Sequence, residues 1–184
     1  DKDIYGFPYA KEGTAKDEFY DEEGKQMRTM FLKAPLKYFN ITSKFSKNRF
    51  HPVQKKFKAH NGTDYAAPHG TPIMATASGT VIQTGYTSGN GNFVKIKHNG
   101  TYTTQYLHMS KILVRRGQTI QQGQTIGKVG STGLATGPHV CYRFWKNGVQ
   151  VDPLKQKLPV SEPMDANEKP KYLEYIKPIK QELD

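Results

Sequence analysis

The chain has 184 residues, a formal net charge of +11 at pH 7, 35% hydrophobic content with 11% aromatic, and one cysteine. That length suits a single domain with appendages, the apolar content is enough for a packed core, and a lone cysteine excludes an intramolecular disulfide. No apolar run approaches the ~18 residues of a membrane span, so the expectation is a soluble chain.

The charge raises nucleic acid as a partner, and Lys55-Lys56-Phe57-Lys58 is the most basic local run. Basic residues are nevertheless spread along the whole chain and no nucleic-acid motif accompanies them. We therefore expect no nucleic acid, and read the charge as a solvated face or an attraction to a polyanionic surface.

Asp1-Lys2-Asp3 is no signal peptide, and with no initiator Met the chain reads as a segment of a longer precursor. Residues 1–35 read as the remnant of an upstream β-module plus a linker, with a strand, turn and second strand from Phe19 through Gly24-Lys25 to Phe31, and Pro35 marking the boundary. Residues 36–157 carry short strands separated by glycine-containing turns, at 73–77, 79–84, 93–98, 101–107, 125–129 and 139–145. Ser88-Gly89-Asn90-Gly91-Asn92 and His98-Asn99-Gly100 are turns between them. This is an all-β, antiparallel pattern.

Gly117-Gln118-Thr119-Ile120 recurs six residues later as Gly123-Gln124-Thr125-Ile126. Lipoyl and biotinyl carriers show such repeats, but no hairpin tip here presents a lysine for modification, so we read the repeat as turn architecture. A phosphotransfer domain on a related scaffold would need a phosphorylated histidine and no metal, and fits less well. Residues 158–184 form a C-terminal tail, partly helical, with Leu173, Ile176, Ile179 and Leu183 at helical spacing around Pro178.

Two short islands carry the chemistry. His60 and Asp64 flank Asn61-Gly62-Thr63. On a straight strand they would stand roughly 13 Å apart, too far for one metal, whereas Asn-Gly bends cheaply because both residues tolerate positive φ. His139 and Cys141 are two apart, so on a strand they share a face with Cα atoms about 6.6 Å apart. With His108, in Tyr106-Leu107-His108, three of the six histidines, an Asp and the only Cys thus fall in short islands flanked by Gly, Pro and aromatic residues.

Arg49-Phe50-His51-Pro52, His60-Asn61-Gly62-Thr63-Asp64-Tyr65-Ala66-Ala67-Pro68, Tyr106-Leu107-His108, Gly130-Ser131-Thr132-Gly133 and Thr136-Gly137-Pro138-His139 occur in that order. Over 36–154 the sequence resembles the lysostaphin-type (LytM-like) zinc endopeptidases of cell-wall metabolism. The resemblance implies a lysostaphin-like, barrel-sandwich catalytic domain, and Zn2+ held by His60, Asp64 and the residue at position 141. The family usually has His there. Cys141 is either a thiolate ligand, which makes an acceptable tetrahedral set, or a small buried thiol in a degenerate site.

By position, His108 and His139 lie beside the metal as catalytic groups. His139 would take the proton of the attacking water, and His108 would stabilise the oxyanion or protonate the leaving amine, with the roles exchangeable. The implied substrate is the peptide cross-link of peptidoglycan, outside the bacterial cytoplasm (periplasm or cell envelope), with anionic envelope polymers as further partners and the precursor an exported one. The rival reading is a degenerate domain that binds the wall or partner proteins and regulates other hydrolases.

Arg143 stands where the family often has an acid, a second departure that bears on the ligand strand. His51 is expected to be structural or at the rim, His69 exposed and His98 in a turn. Tyr102, Tyr106 and Trp145 belong either to the groove or, as aromatic residues in β-rich domains more often do, to the core.

Overall fold

The computed structural model describes residues 6–10, 18–20, 30–51, 55–158 and 167–183. They form two compact units, Asp1–Phe31 with Leu158–Asp184, and Leu32–Lys157.

In the smaller unit β1 (Phe7–Tyr9) pairs antiparallel with β2 (Glu18–Tyr20), and the tail forms one helix, α1 (Lys169–Leu183). Tyr172 and Ile176 of α1 bury with Phe7, and Tyr9 and Ile179 pack against them. The buried stripe is therefore 172, 176, 179, rotated from the expected one, and Leu173 is 39% exposed. Tyr172 takes the inward position because its ring meets Tyr9 edge-on, at 5.3 Å between centroids. Of the second N-terminal strand expected before Phe31, positions 21–29 lie outside the described residues, and Met30 and Phe31 are not in a strand.

The larger unit holds β3 (Asn40–Ser43), β4 (Ser46–His51), β5 (Lys56–His60), β6 (Thr63–Ala66), β7 (Pro72–Met74), β8 (Gly79–Thr87), β9 (Gly91–Lys97), β10 (Tyr102–Ile112), β11 (Thr119–Ile120), β12 (Thr125–Val129), β13 (His139–Lys146) and β14 (Val149–Gln150). The main sheet runs β11-β8-β9-β10-β13-β6-β3, with β12 between β10 and β7 and with β14 on β13; β4 and β5 make a separate hairpin. Every described pairing is antiparallel, as the alternating sequence requires.

Side chains alternate across this sheet. On β13 Val140, Tyr142 and Phe144 face the core, and His139, Cys141 and Arg143 take the opposite face. The core side is partly polar. Tyr106 and Tyr142 are buried, their rings 5.5 Å apart, and Thr76 Oγ1 lies 3.1 Å from the Tyr106 hydroxyl and 2.8 Å from that of Tyr142. Thr104 Oγ1 donates to Tyr106 at 2.9 Å and sits 2.7 Å from His98 Nε2, whose Nδ1 donates to the Ser78 carbonyl. Tyr102 and Tyr106 are thus core residues, and His98 is half-buried and bonded through both ring nitrogens.

The Gly-Gln-Thr-Ile repeat is a repeated turn. Gln118 and Gln124 each donate their backbone N–H to the residue three before and accept from that same residue's N–H through Oε1. Both following isoleucines, Ile120 and Ile126, are fully buried.

Thr76→Val should lower stability by roughly 1–3 kcal/mol in denaturant unfolding, because it removes the hydroxyl between two buried tyrosine hydroxyls while keeping the side-chain volume. His98 is held below its ordinary pKa by burial, against the opposing bond to Ser78. The unfolded chain therefore binds more protons as pH falls below ~6.5, and the contribution of neutral His98 is full above that value and lost below it. Urea melts across that range should show a shallower pH dependence in His98→Gln than in the wild type.

Candidate metal centre

The Asn61-Gly62 bend carries the chain from one sheet to another. His60 ends the β4–β5 hairpin, paired with Ser46, whereas Asp64 lies in the main sheet directly opposite Cys141. The bend falls where the sequence put it but not for the reason given, since neither residue has positive φ. Glycine is needed for space: a Cβ on Gly62 would stand 2.6 Å from Cys141 Sγ and 3.0 Å from the Tyr142 carbonyl oxygen.

These pairings converge three donors. His60 Nε2, a carboxylate oxygen of Asp64 and Cys141 Sγ all lie within 4.8 Å of one another. His60 Nε2 is 3.3 Å from Asp64 Oδ1 and 4.0 Å from Cys141 Sγ. Donors around a tetrahedral ion with bonds of ~2.0–2.3 Å stand ~3.3–3.7 Å apart, so the cluster needs only a small contraction to close on one. Asp64 Oδ1 is buried without a hydrogen bond, the situation an absent cation would relieve. The donor set therefore fits a divalent metal.

His139 and His108 stand beside it. His139 Nε2 is 3.7 Å from Asp64 Oδ1, and the two imidazole rings are 4.8 Å apart. Three backbone carbonyls fix the rings: His60 Nδ1 points to Lys44 O at 3.0 Å, His108 Nδ1 to Thr132 O at 2.7 Å and His139 Nδ1 to Gly137 O at 2.8 Å. A carbonyl oxygen only accepts, so each Nδ1 carries the proton and each neutral ring presents a lone pair on Nε2.

His108 is turned inward by a β-bulge. Between Tyr106 and Met109 the register against β9 slips by one residue, and His108 has φ +64° with its N–H donating to Asn90 O. A non-glycine residue in that region inside an 11-residue strand is strained, and the bulge re-aims its ring. Thr132 is pinned in turn, its Oγ1 donating to Met109 O and accepting from Asn92 N–H. Gly91 lies so close to the Thr132 backbone that no Cβ fits there.

Burial alone would raise the Asp64 carboxyl, but the close approach of the His60 ring and its attraction, with His139 adding, hold it below its usual range. Burial lowers His108, against the Thr132 carbonyl. Burial pushes the Cys141 thiol up to about 12, Asp64 adds to this and Arg143 opposes it. The metal-free chain therefore carries a thiol, and a metal binding there releases its proton.

All five residues singled out for the site, His60, Asp64, His108, His139 and Cys141, gather in one place. His69 is exposed, and His51 lies in the β4–β5 hairpin opposite Lys56. Trp145 is half-buried under the Lys95 ammonium, 4.3 Å from the ring centre. The sequence reading missed Lys44, Thr132 and Gly137, which act through backbone carbonyls and so leave no mark in residue identity.

An imidazole, a carboxylate and a thiol converging on one point, with two further imidazoles alongside, is a donor and proton-transfer set of the kind metal-dependent hydrolases use. The chain belongs to peptidase family M23, whose profile matches residues 58–153.

It is 42% identical over 166 residues to the peptidoglycan DD-endopeptidase ShyC of Vibrio cholerae, covering 90% of this chain and 38% of that protein. It is 41% identical over 149 residues to the DD-carboxypeptidase/endopeptidase Mpg of Neisseria meningitidis, covering 80% of this chain and 34% of that protein. The chain thus spans well under half the length of these curated relatives. Among solved structures, a zinc-containing peptidase from Vibrio cholerae matches with a TM-score of 0.69 at 39% identity, over 86% of this chain and 48% of that one. The catalytic domain of lysostaphin from Staphylococcus simulans matches with a TM-score of 0.57 at 29% identity, over 63% and 90%.

Gly62→Ala should weaken metal binding at least tenfold in a competitive chelator titration, since its Cβ collides with the Cys141 sulfur; displacing the ligand strand should also cost roughly 1–3 kcal/mol in thermal unfolding.

Proposed function

We propose that the chain is the catalytic part of a zinc-dependent endopeptidase that hydrolyses amide bonds in peptidoglycan peptide cross-links, acting outside the cytoplasm of a bacterium. The observation that carries this reading is the meeting of His60 Nε2, Asp64 and Cys141 Sγ beside two histidines of fixed tautomer, within an M23 fold. The zinc content of a similar Vibrio cholerae peptidase and the DD-endopeptidase activity named for ShyC support the metal and the substrate.

His60, Asp64 and Cys141 would hold the zinc, which when bound polarises the scissile carbonyl and acidifies a water. His139, its Nδ1 committed to the Gly137 carbonyl, would accept that water's proton at Nε2, 3.7 Å from the Asp64 carboxylate. His108, neutral through burial and donating from Nδ1 to Thr132, offers only a lone pair at Nε2. It can serve as a donor only after receiving a proton, and the one taken up by His139, whose ring centre lies 4.8 Å away, is the one available for relay through His108 to the leaving amine. Thr132 and Gly137 keep both rings from rotating out of this arrangement.

Elemental analysis of the purified chain should find one zinc, lost in Cys141→Ala and retained in His108→Ala and His139→Ala. Both histidine variants should lose ~10²–10⁴-fold in turnover of purified peptidoglycan, the range expected for removing a proton-transfer group. A wild type with no zinc and no cleavage, but with metal gained in Cys141→His, would overturn the enzymatic reading and leave a wall-binding or regulatory domain.

A further inference from the structure

The face of β13 that carries His139 and Cys141 continues to Arg143, two residues on and about 6.6 Å away between Cα atoms. Arg143 packs its stem beside Gly62, where a Cβ would stand 3.1 Å from its Cγ. Its neighbour across the sheet is the buried Gln105 of β10, and beyond that Lys95 of β9.

Two cations thus flank Gln105, but they are not equivalent. The Lys95 ammonium is engaged over the Trp145 ring. Arg143 Nε is buried with no hydrogen-bond partner, the guanidinium also lies in hydrogen-bonding contact with the Cys141 thiol, and among the described residues no carboxylate forms an ion pair with it. A buried, unpartnered guanidinium nitrogen is costly, and a planar fork of donors matches a carboxylate better than any other small group. The charge is also felt across the cluster, since it reaches both the Cys141 thiol and the His108 ring.

We infer that Arg143 is a specificity-determining residue that binds a free carboxylate on the residue flanking the scissile amide, so that the site selects acidic peptides over their amidated forms. This rests on the peptidase reading for the direction in which the peptide lies, but recognition of the carboxylate does not need turnover. An extended peptide advances ~3.3 Å per residue, so a carboxylate within about two residues of a carbonyl held at the metal cluster comes within reach of the guanidinium. A charge-assisted, forked hydrogen bond of this kind is worth roughly tenfold or more in affinity over the neutral amide.

The test uses two cross-link peptides that differ only in carrying a carboxylate or a carboxamide beside the scissile bond, together with reduced-amide analogues of both that cannot be cleaved. On the zinc-loaded chain we expect the carboxylate peptide to have a KM about tenfold lower with little change in kcat, and its analogue to bind about tenfold tighter by calorimetry. Arg143→Gln should erase both differences while zinc content and thermal midpoint stay near wild type, and Arg143→Lys should restore part of the preference.

Equal binding of the two analogues by the wild type, or a preference that survives in Arg143→Gln, overturns the inference. If neither peptide is cleaved but the carboxylate analogue still binds tighter through Arg143, the peptidase reading falls and the carboxylate site stands. Should Arg143→Gln unfold, Arg143→Lys decides: with its single ammonium it must show a reduced preference, and an unchanged one overturns the proposal.

Discussion

The pairing of β6 against β13, with Asp64 opposite Cys141, is the constraint on which the rest of the site depends. A one-residue slip of that register would send Asp64 to the core face and bring Thr63 or Tyr65 to the donor cluster, because side chains alternate strictly. The register is held from the core side, where Tyr65, Tyr142 and Phe144 are buried and Tyr142 is bonded to Thr76. The chemical face is therefore fixed by packing on the other side of the same strands. His60 comes to it from outside the main sheet, and Gly62 is the hinge that lets it arrive without displacing the sulfur.

A second layer of control is electrostatic and made of backbone. Carbonyls of Lys44, Thr132 and Gly137 impose one tautomer on three imidazoles that come from different strands. No residue type is needed for a carbonyl, only a path for the chain. That path is specific where it matters: the bulge at His108 and the close approach of Gly91 to Thr132 put the carbonyl and the ring together. The strain of a left-handed His108 persists because Asn90 and Thr132 hold it from both sides.

Much of this was legible in the sequence for a simple reason: ligands and proton carriers are side chains, and their spacing on strands is dictated by a period of two. His139 and Cys141 needed only that rule, and the all-β pattern followed from short alternating runs between glycine turns. The bend at Asn61-Gly62 was legible as a place but not as a cause, since a clash with a sulfur 79 residues away in the chain has no local signature. The bulge in β10 was hidden for the same reason, and the expected strand stopped at 107 where the real one runs to Ile112. The inward face of α1 was misjudged by one position because an aromatic contact, not aliphatic spacing, chose it.

The two departures from the family pattern, Cys141 and Arg143, make physical sense together. A divalent ion held by one carboxylate and two imidazoles keeps one positive charge, whereas replacing an imidazole by a thiolate cancels it and weakens the electrophile. The guanidinium of Arg143 returns a positive charge within one strand repeat of the sulfur, on the same face, and opposes the rise in thiol pKa that burial and Asp64 impose. An acid at 143 would act in the opposite sense, pushing the thiol further up and leaving the cluster net negative. With an imidazole at 141 that acid would be tolerable; beside a thiolate it would not. The guanidinium that stands beside the sulfur keeps an unpartnered Nε, and the donors of that fork are what a substrate carboxylate would use.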